Sequence, residues 1–390
     1  MTLNIAYLAA GKLHLKLVND PVRTIDSEFG QSVQERAQQI RRRNAWKAQG
    51  QVARMLFPGM TPEADEVPRV AITGLCRGQQ GKLFYTLEAG SVAGIFSLDQ
   101  SSINEQRLFH NADFGVRHLA FHPSENLIAC SILHEDGTSN IAMMNVDGAR
   151  PNEVTEGDSV DLAPTWIPNA ERALVFQSAG LGRDRSGLIR EQSPFTIEKL
   201  DFGRQEMTCL AAEPKHDLLG PKLAADGTLY YIRRPYKPFQ RSFNLLHLLR
   251  DILLIPFRLL FAIFQWLNFF TARYTGKPLM VGGRKQSPDF RRMMIWGNLV
   301  DAEEAAKRSR FGDEDAPALV PRSWQLIRQR SGGYKPETIS EGVLSFDIGE
   351  DGTIIYTNGS AIYCLAPDGK TERILVDNLI EQVIFANGNE

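Results

Sequence analysis

The sequence predicts an all-β fold, a six-bladed β-propeller that carries two largely helical insertions. Most of the chain consists of short apolar runs of four to eight residues separated by Gly, Asp, Asn and Pro, which is typical of many short strands. These runs recur in groups of four, and the anchor residues Phe121 and Trp166 of two groups lie 45 residues apart. A spacing of this size is that of one propeller blade.

The groups follow one another along the chain and number six. The N-terminal runs NIAYLAAG, KLHLKLVND and VRTIDS form three strands that lack a first strand. Later groups begin at VRHLAFHP (116–123), DLAPTWIPN (161–169), LLGPKLAADG (218–227) and GVLSFDIGEDG (342–352). The last run, IEQVIFA (380–386), is a first strand without companions. We therefore expect it to join the N-terminal blade, which closes the ring and removes its last open edge.

One segment resembles a known repeat. APTWIPNAERALVFQS (163–178) is similar to the TolB-type propeller repeat, which reads Pro-x-Trp-x-Pro-Asp-Gly followed by an Ile-x-Phe strand, and DGTLYYI (226–232) and DGTIIY (351–356) resemble its turn and strand. The resemblance extends over about three-quarters of the chain, although a single unit carries the Trp. It implies a TolB-like fold, which periplasmic interaction proteins and the gating domains of prolyl oligopeptidases share. Unlike these relatives, the sequence shows no recognisable signal peptide and no Gly-x-Ser-x-Gly motif of a peptidase.

The first insertion, about residues 28–66, is predicted to be a basic helix followed by a loop. Phe29, Val33, Ala37 and Ile40 are spaced for one helical face. A basic patch occupies the remaining surface and comprises Arg36, Arg41, Arg42, Arg43 and Lys47. A solvated helix that caps one side of the ring explains this pattern, and so does contact with an anionic surface or an acidic partner. We do not expect nucleic acid to bind here, because the chain as a whole has a net charge of −2.

The second insertion, about residues 236–322, contains the most apolar stretch, FNLLHLLRDILLIPFRLLFAIFQWLNFF (243–270). Asn244, His247, Asp251, Arg258 and Gln265 recur at intervals that place them on one arc of a helix. The residues that we expect to contact a membrane or a partner are Leu246, Leu249, Leu253, Phe257, Leu260, Ile263, Phe264, Trp266, Leu267 and Phe270, with Arg258 and Arg273. Ten Lys and Arg residues but two Asp residues lie between Lys237 and Arg292.

Topology decides against a transmembrane helix. The runs YYIRRP and SWQLIRQR flank the insertion and are predicted to belong to one blade, so a single crossing would separate them. Two crossings need about 40 apolar residues, and this stretch supplies 28. An apolar helix with a polar stripe inside a basic segment is typical of an in-plane membrane anchor. A groove on a partner protein and the propeller's own surface remain the alternatives.

No catalytic constellation emerges from the sequence. Acids stand at the entries of the strands predicted to line the channel, at Asp113, Asp161, Asp217, Glu341 and Glu381, but not at equivalent positions of the repeat. Such a ring could hold a hard cation, while capping of turns explains the same residues. His110, His118, His122 and His134 are close in sequence, in what we take to be one blade, without a zinc-ligand spacing. We expect no cofactor, and free thiols at the four dispersed cysteines.

These observations together predict a function in binding. We expect a non-enzymatic scaffold that recognises protein partners and lies in the cytoplasm, attached peripherally to the inner membrane. One alternative is a subunit that docks its apolar helix into an integral membrane or multisubunit complex. The other is a catalytic propeller, a hydrolase or lyase that uses a cation in its channel.

Overall fold

The computed structural model describes residues 3–48, 68–112, 114–170, 172–238, 292–295, 298–301, 312–313, 316–332 and 334–386. The chain divides into two compact units. The first comprises Met1–Ser32, Arg69–Pro238 and Phe290–Glu390, and the second comprises Val33–Pro68 and Phe239–Asp289. The first unit contains every strand described below.

The first three blades take up the N-terminal half of the first unit. The N-terminal strands are β1 (Ile5–Ala9), β2 (Lys12–Lys16) and β3 (Arg23–Ile25), and helix α1 (Glu28–Ala48) follows them. Blade 2 contains β4 (Val70–Arg77), β5 (Lys82–Ala89), β6 (Val92–Asp99) and β7 (Glu105–Ala112). Blade 3 contains β8 (Gly115–His122), β9 (Leu127–Leu133), β10 (Ser139–Asn145) and β11 (Asn152–Glu153).

Blades 4 to 6 follow in the same antiparallel pattern. Blade 4 contains β12 (Ser159–Trp166), β13 (Ala173–Arg183), β14 (Ile189–Gln192), β15 (Thr196–Asp201) and β16 (Glu206–Ala211). Blade 5 begins with β17 (His216–Leu223) and β18 (Leu229–Pro235). Two short pairs come next, β19 (Arg292–Ile295) with β20 (Asn298–Asp301) and β21 (Gly312–Asp313) with β22 (Ala316–Pro317). Blade 5 then ends with β23 (Gln325–Gln329) and β24 (Glu337–Glu341), and blade 6 contains β25 (Ser345–Ile348), β26 (Ile354–Thr357), β27 (Ala361–Leu365) and β28 (Thr371–Val376).

The final strand, β29 (Ile380–Phe385), completes blade 1. It pairs antiparallel with β1, from Ile5 opposite Phe385 to Ala9 opposite Ile380, and the sheet order is β29-β1-β2-β3. The predicted six blades and the closure by the C-terminal strand are therefore confirmed. The two chain ends hold each other in one sheet, so β1 is paired on both sides, with β29 and β2, and β29 is the innermost strand of the blade.

Apolar clusters fill the space between neighbouring blades. Because successive side chains of a strand point to opposite faces of its sheet, each strand contributes to two such clusters. In β29, Ile380, Val383 and Phe385 pack against blade 6. Ile384 lies in the cluster that blade 1 shares with blade 2. The core of the ring is thus distributed over the seams between blades.

Turns between strands use the short polar residues that the repeat predicted. In the turn Asp226-Gly227-Thr228, the Asp226 side chain accepts hydrogen bonds from the Thr228 N–H at 2.9 Å and from its hydroxyl at 3.0 Å. Asp351 binds Thr353 in the same way, at 2.9 and 2.8 Å. The glycine between them adopts φ +80 in both turns, a conformation that other residues rarely adopt. The resemblance of these two stretches thus reflects one shared turn.

Helix α1 begins at a cap that the sequence patterns did not reveal. The Ser27 hydroxyl accepts a hydrogen bond from the Gly30 N–H at 3.1 Å, as an N-cap does. The Glu105 carboxylate on β7 accepts from the N–H groups of Glu28 at 2.9 Å and Phe29 at 3.2 Å. A negative charge at a helix N-terminus stabilises the helix. The Phe29 ring packs beside Phe96 with centroids 5.2 Å apart, so the start of the helix is fixed to blade 2.

The closure makes a prediction about stability. Replacing Ile380 or Ile384 by Ala removes a side chain that is at most 4% exposed, and each change should cost about 2–4 kcal/mol of unfolding free energy. Val376→Ala is the control, because Val376 lies on the outermost strand of blade 6 and is 46% exposed. It should change the free energy by at most ~0.5 kcal/mol. Urea unfolding followed by circular dichroism measures all three. Equal effects of the control and the two Ile variants would contradict the closure.

Candidate functional site

A cavity of about 790 Å³ is lined by residues of β4, β8, β12, β17, β25 and β29. These are the first strands of the six blades, so the cavity is the central channel of the ring. Its volume lies within the range of small-molecule binding sites. Propellers commonly bind ligands along this axis, and the channel is therefore the candidate functional site of the described chain.

Bulges in the first strands shape the channel wall. In β8, β12 and β17 two residues stand opposite one, and His118, Ala163 and Gly220 occupy the first of these positions with φ between +53 and +58. Positive φ is strained for His118 and Ala163, and such strain persists where the surrounding structure imposes it. In β29 the bulge falls on Glu381, which has no partner residue on β1. A bulge redirects a side chain, here at the wall of the channel.

One end of the channel carries a cluster of four charged side chains, which we name the charged mouth: Arg69, Glu88, Arg117 and Glu381. They come from blades 1, 2 and 3. An Arg117 Nη2 donates to Glu88 Oε1 at 3.2 Å. Burial raises the pKa of Glu381 to about 7, although the positive charges of Arg117 and Arg69 oppose this rise. A carboxyl group in such a place changes its charge near neutral pH.

Two titratable side chains of the channel wall beside the charged mouth, His118 and Cys76, are uncharged at neutral pH. Burial, together with the positive charge of the neighbouring Arg117, lowers the pKa of His118 to about 3. The imidazole is therefore uncharged at neutral pH. Cys76 also lines the channel, and burial raises the pKa of its thiol far above the usual range. The Cys76 thiol therefore lacks the thiolate form that acts as a nucleophile, and the His118 imidazole, with so low a pKa, is a weak base.

A second pair of opposite charges in the channel wall lies near the C-terminal ends of β17 and β25. Lys222 on β17 contacts the Asp347 carboxylate on β25 at 2.6 Å, and the other oxygen of Asp347 accepts from the Phe385 N–H at 2.9 Å. The Lys222 ammonium also lies 5.7 Å from the centroid of the Phe346 ring. Blades 5, 6 and 1 are thereby tied at one point, and a partly buried ion pair with further hydrogen bonds satisfies its charges.

Polar contacts of this kind cross every seam around the channel. Gln382 binds the backbone of Leu75 twice, at 2.7 and 3.0 Å, and joins blade 1 to blade 2. Gln177 accepts from the Gly220 N–H at 2.8 Å and joins blade 4 to blade 5. The Trp166 indole N–H donates to the Ala120 carbonyl at 3.1 Å between blades 4 and 3. Trp166, the tryptophan of the TolB-type repeat, therefore links blade 4 to blade 3.

The acids that the sequence singled out do not form a ring. Glu381 lies in the channel wall, whereas Asp161 accepts from the Ser178 hydroxyl at 2.7 Å and Asp217 binds the Arg234 guanidinium at 2.8 Å. Glu341 is on β24, an outermost strand, and Asp113 lies outside the described residues. In the described part of the chain, no group of three or more His, Cys, Asp or Glu side chains is placed to hold a metal ion.

The four histidines lie in two blades, so the expectation of one blade is wrong. His110 is on β7 in blade 2, where its ring stands edge-on to Phe29 at 5.6 Å. His122 packs edge-on against Trp166 at 4.7 Å, and His134 contacts Glu153 at 3.1 Å. β7 ends at Ala112 and β8 begins at Gly115, so His110 is on a different strand and blade from the others. These contacts are structural.

The residues predicted to contact a membrane or partner lie outside the described residues. This holds for Leu246, Leu249, Leu253, Phe257, Arg258, Leu260, Ile263, Phe264, Trp266, Leu267, Phe270 and Arg273. Of the basic patch, Arg36, Arg42 and Arg43 are exposed on α1, while the side chains of Arg41 and Lys47 are not described. Among the described residues, no helix is both long and apolar enough to cross a bilayer.

Comparison with solved structures identifies the fold. TolB from Acinetobacter baumannii matches with a TM-score of 0.51 and 11% identity over 98% of this chain and 66% of the TolB chain. The chain thus spans slightly less than two thirds of that protein's length. A chain of a nidogen/laminin complex matches with a TM-score of 0.51 and 8% identity over 97% of each chain. At these identities the similarity shows the fold alone, which is that of a TolB-like propeller.

Other comparisons add less. An oligogalacturonate lyase from Vibrio parahaemolyticus matches with a TM-score of 0.40 and 6% identity over 78% of this chain and 65% of the lyase, too weakly to support an argument. No protein-family model matches the sequence. No curated protein matches it in sequence either.

The charged mouth makes a prediction about pH. The pKa of Glu381 is about 7 in the folded protein and close to 4.5 when the chain is unfolded. The folded state therefore holds a proton that the unfolded state has lost, and this group lowers stability as pH rises from about 4.5 to 7. Glu381→Gln cannot ionise, so it should be more stable than the wild type by ~2–3 kcal/mol at pH 8 and nearly equal to it at pH 4. Urea unfolding at both pH values measures the difference; a gap that does not vary with pH would contradict the burial of a proton-binding carboxyl.

Proposed function

We propose that this TolB-like propeller is a non-enzymatic binding protein that recognises protein partners from the cytoplasmic face of a membrane, to which residues 243–270 attach it in the plane of the interface. The observation that carries the proposal is the pairing of β18 with β23 in blade 5. The long insertion between them leaves and re-enters the propeller at neighbouring strands.

The pairing constrains how the insertion can meet a membrane. Arg233 stands opposite Gln325 at the end of β18 and the start of β23, so both ends of the insertion lie at the same end of one blade. A single membrane crossing is incompatible with this geometry. Two crossings require about 40 apolar residues, more than the 28 of the stretch. A helix that lies in the interface needs neither.

The charge of the insertion also supports attachment in the plane of the membrane interface. The segment between Lys237 and Arg292 carries ten basic and two acidic residues. Each Lys or Arg near an anionic leaflet adds about 1 kcal/mol to the attraction, and burial of the apolar face adds to it. The exposed Arg36, Arg42 and Arg43 of α1 supply further positive charge. The cytoplasmic leaflet is the anionic one, which is why the proposal names that face.

The described channel favours binding over catalysis. Lys222, Asp347 and Gln382 hold blades together, and the Cys76 thiol and the His118 imidazole are kept neutral. Groups that are committed to the ring cannot move protons for a substrate without weakening it. Interaction through loops at the ends of the ring uses the fold without such a cost.

Flotation with liposomes tests the membrane attachment. The intact chain should float with vesicles that contain phosphatidylserine and remain in solution with neutral phosphatidylcholine vesicles. A variant in which a Gly/Ser linker replaces residues 240–275 should stay soluble with both, because the apolar face and its flanking charges are gone. Circular dichroism of this variant checks that the strands remain folded.

Two outcomes would decide against the proposal. Equal flotation of the intact chain and the linker variant would show that the stretch is not the anchor. Absence of flotation in both, with the variant folded, would favour the alternative that the helix docks into a protein complex. In that case, crosslinking of the intact chain in membranes should recover one integral membrane partner only when residues 240–275 are present.

The basic patch gives a graded version of the same test. The triple variant Arg36→Gln, Arg42→Gln, Arg43→Gln should bind anionic vesicles about tenfold or more weakly, since up to three contributions of about 1 kcal/mol are lost. Arg204→Gln, a change at an exposed arginine in the β15–β16 turn, is the matched control and should bind as the wild type does. Unchanged binding of the triple variant would mean that α1 is a solvated helix without a membrane role.

A further inference from the structure

Three polar side chains of blade 3 meet on one face of its sheet, and we name them the blade 3 cluster: His134, Asn140 and Glu153. Asn140 stands opposite Ile132 and lies two residues before Ala142 on β10. Glu153 of β11 stands opposite Ala142. Since every second residue of a strand shares one face, Asn140 and Glu153 project from the same face of the blade. His134, two residues after Ile132, lies on that face as well.

The polar atoms of the cluster form a small triangle. Nε2 of His134 lies 3.1 Å from Oε2 of Glu153. Nδ2 of Asn140 lies 2.5 Å from the same carboxylate oxygen and 3.3 Å from the imidazole nitrogen. Nitrogen and oxygen ligands bind Zn²⁺ at about 2.0–2.2 Å, so two ligands of one ion are about 3 Å apart. The triangle therefore has the dimensions of three ligands around one metal ion.

Hydrogen bonds cannot satisfy all three sides of this triangle. If Nε2 of His134 carries a proton, it donates to Glu153 and turns its hydrogen toward the N–H of Asn140. If Nε2 is unprotonated, it accepts from Asn140 and sets its lone pair against the carboxylate of Glu153. The other end of the Asn140 amide is also unsatisfied. Its Oδ1 is buried and has no hydrogen-bond partner among the described residues, at a side chain that is 9% exposed.

The second orientation of the Asn140 amide makes the cluster a ligand set. Half a turn of the amide exchanges its oxygen and nitrogen, and Oδ1 then takes the place of Nδ2 in the triangle. An imidazole nitrogen, an amide oxygen and a carboxylate oxygen then direct lone pairs at one position. These lone pairs repel one another unless a cation lies between them. Mixed nitrogen and oxygen ligands suit divalent transition-metal ions, Zn²⁺ among them.

We propose that the blade 3 cluster binds one divalent transition-metal ion such as Zn²⁺ through Nε2 of His134, Oδ1 of Asn140 and Oε2 of Glu153. Direct contacts between these side chains already link the β9–β10 turn to β11, and the bound ion replaces them by three coordinate bonds. The side chains of His134 and Glu153 are 35% and 37% exposed, and His134 also lines the central channel. Water or a small ligand in the channel thus completes the coordination. The site is independent of the membrane attachment proposed above.

Calorimetric titration of the intact chain with Zn²⁺ tests the site. The chain used throughout carries Cys209→Ser, because an exposed thiol is itself a zinc ligand. This chain should bind Zn²⁺ and Co²⁺, and bound Co²⁺ should give a visible absorption band. Mg²⁺ should bind much more weakly, since it prefers oxygen ligands alone.

Variants assign the ion to the cluster. His134→Gln removes the nitrogen ligand and should weaken Zn²⁺ binding about tenfold or more. Asn140→Asp should instead strengthen it about tenfold or more, because the carboxylate offers oxygen in either orientation and adds a negative charge. Zn²⁺ should also raise the melting temperature of Asn140→Asp more than that of the parent chain. His216→Gln is the matched control and should leave binding unchanged. His216 also lies beside a carboxylate, that of Glu213 at 2.8 Å, but Arg233 contacts the other oxygen at 3.6 Å.

Three results would overturn the proposal. The first is that the parent chain does not bind Zn²⁺ at submillimolar concentration. The second is that His134→Gln binds Zn²⁺ as tightly as the parent chain, which would place the ion elsewhere. The third is that Asn140→Asp, shown by circular dichroism to be folded, binds Zn²⁺ no more tightly than the parent chain. The cluster would then be a hydrogen-bonded network alone. Folding of Asn140→Asp only in the presence of Zn²⁺ would support the site, because the ion would then relieve the repulsion of two carboxylates.

Discussion

The pairing of β29 with β1 is the constraint on which the rest of the structure depends. A ring of blades has no edge only if its two ends join, and here the last strand of the chain supplies the first strand of the first blade. Ile380, Val383 and Phe385 fill the seam to blade 6, while Ile384 fills the seam to blade 2. Without this strand two of the six seams would lose their inner apolar wall.

The same strand also completes the channel. Gln382 binds the backbone of Leu75 in blade 2, and the Phe385 N–H binds Asp347, which in turn holds Lys222 of blade 5. Glu381, at the bulge between these contacts, becomes the partly buried carboxyl group of the charged mouth. The fold and the candidate site therefore share one cause. A strand that closes a ring must place some side chains at its axis, and the bulge determines which.

The fold was predictable from the sequence because it is written in local patterns. The blade spacing, the Asp-Gly-Thr turns and the lone final strand each survive in the structure as predicted. The charged mouth was not predictable from the sequence, since Arg69, Glu88 and Arg117 are distant in sequence, belong to different strands and carry no motif. Of the acids considered, the structure describes four, and of these Glu381 alone lies in the channel wall, because neighbours such as Ser178 and Arg234 engage Asp161 and Asp217. The position of Glu381 in the first strand of a blade could have placed it near the axis of the ring. It could not have identified the residues that surround it.

The most direct test of this account is a carbon-13 NMR titration of the glutamate carboxyl groups, with Glu381→Gln used to assign the signal of Glu381. The pKa of this carboxyl should be about 7, because closure of the ring buries it, an effect that the positive charges of Arg117 and Arg69 offset in part. A pKa near 4.5, the value for an exposed glutamate, would contradict it. Glu381 would then be exposed to water, and the burial of its carboxyl group in the channel wall could not stand.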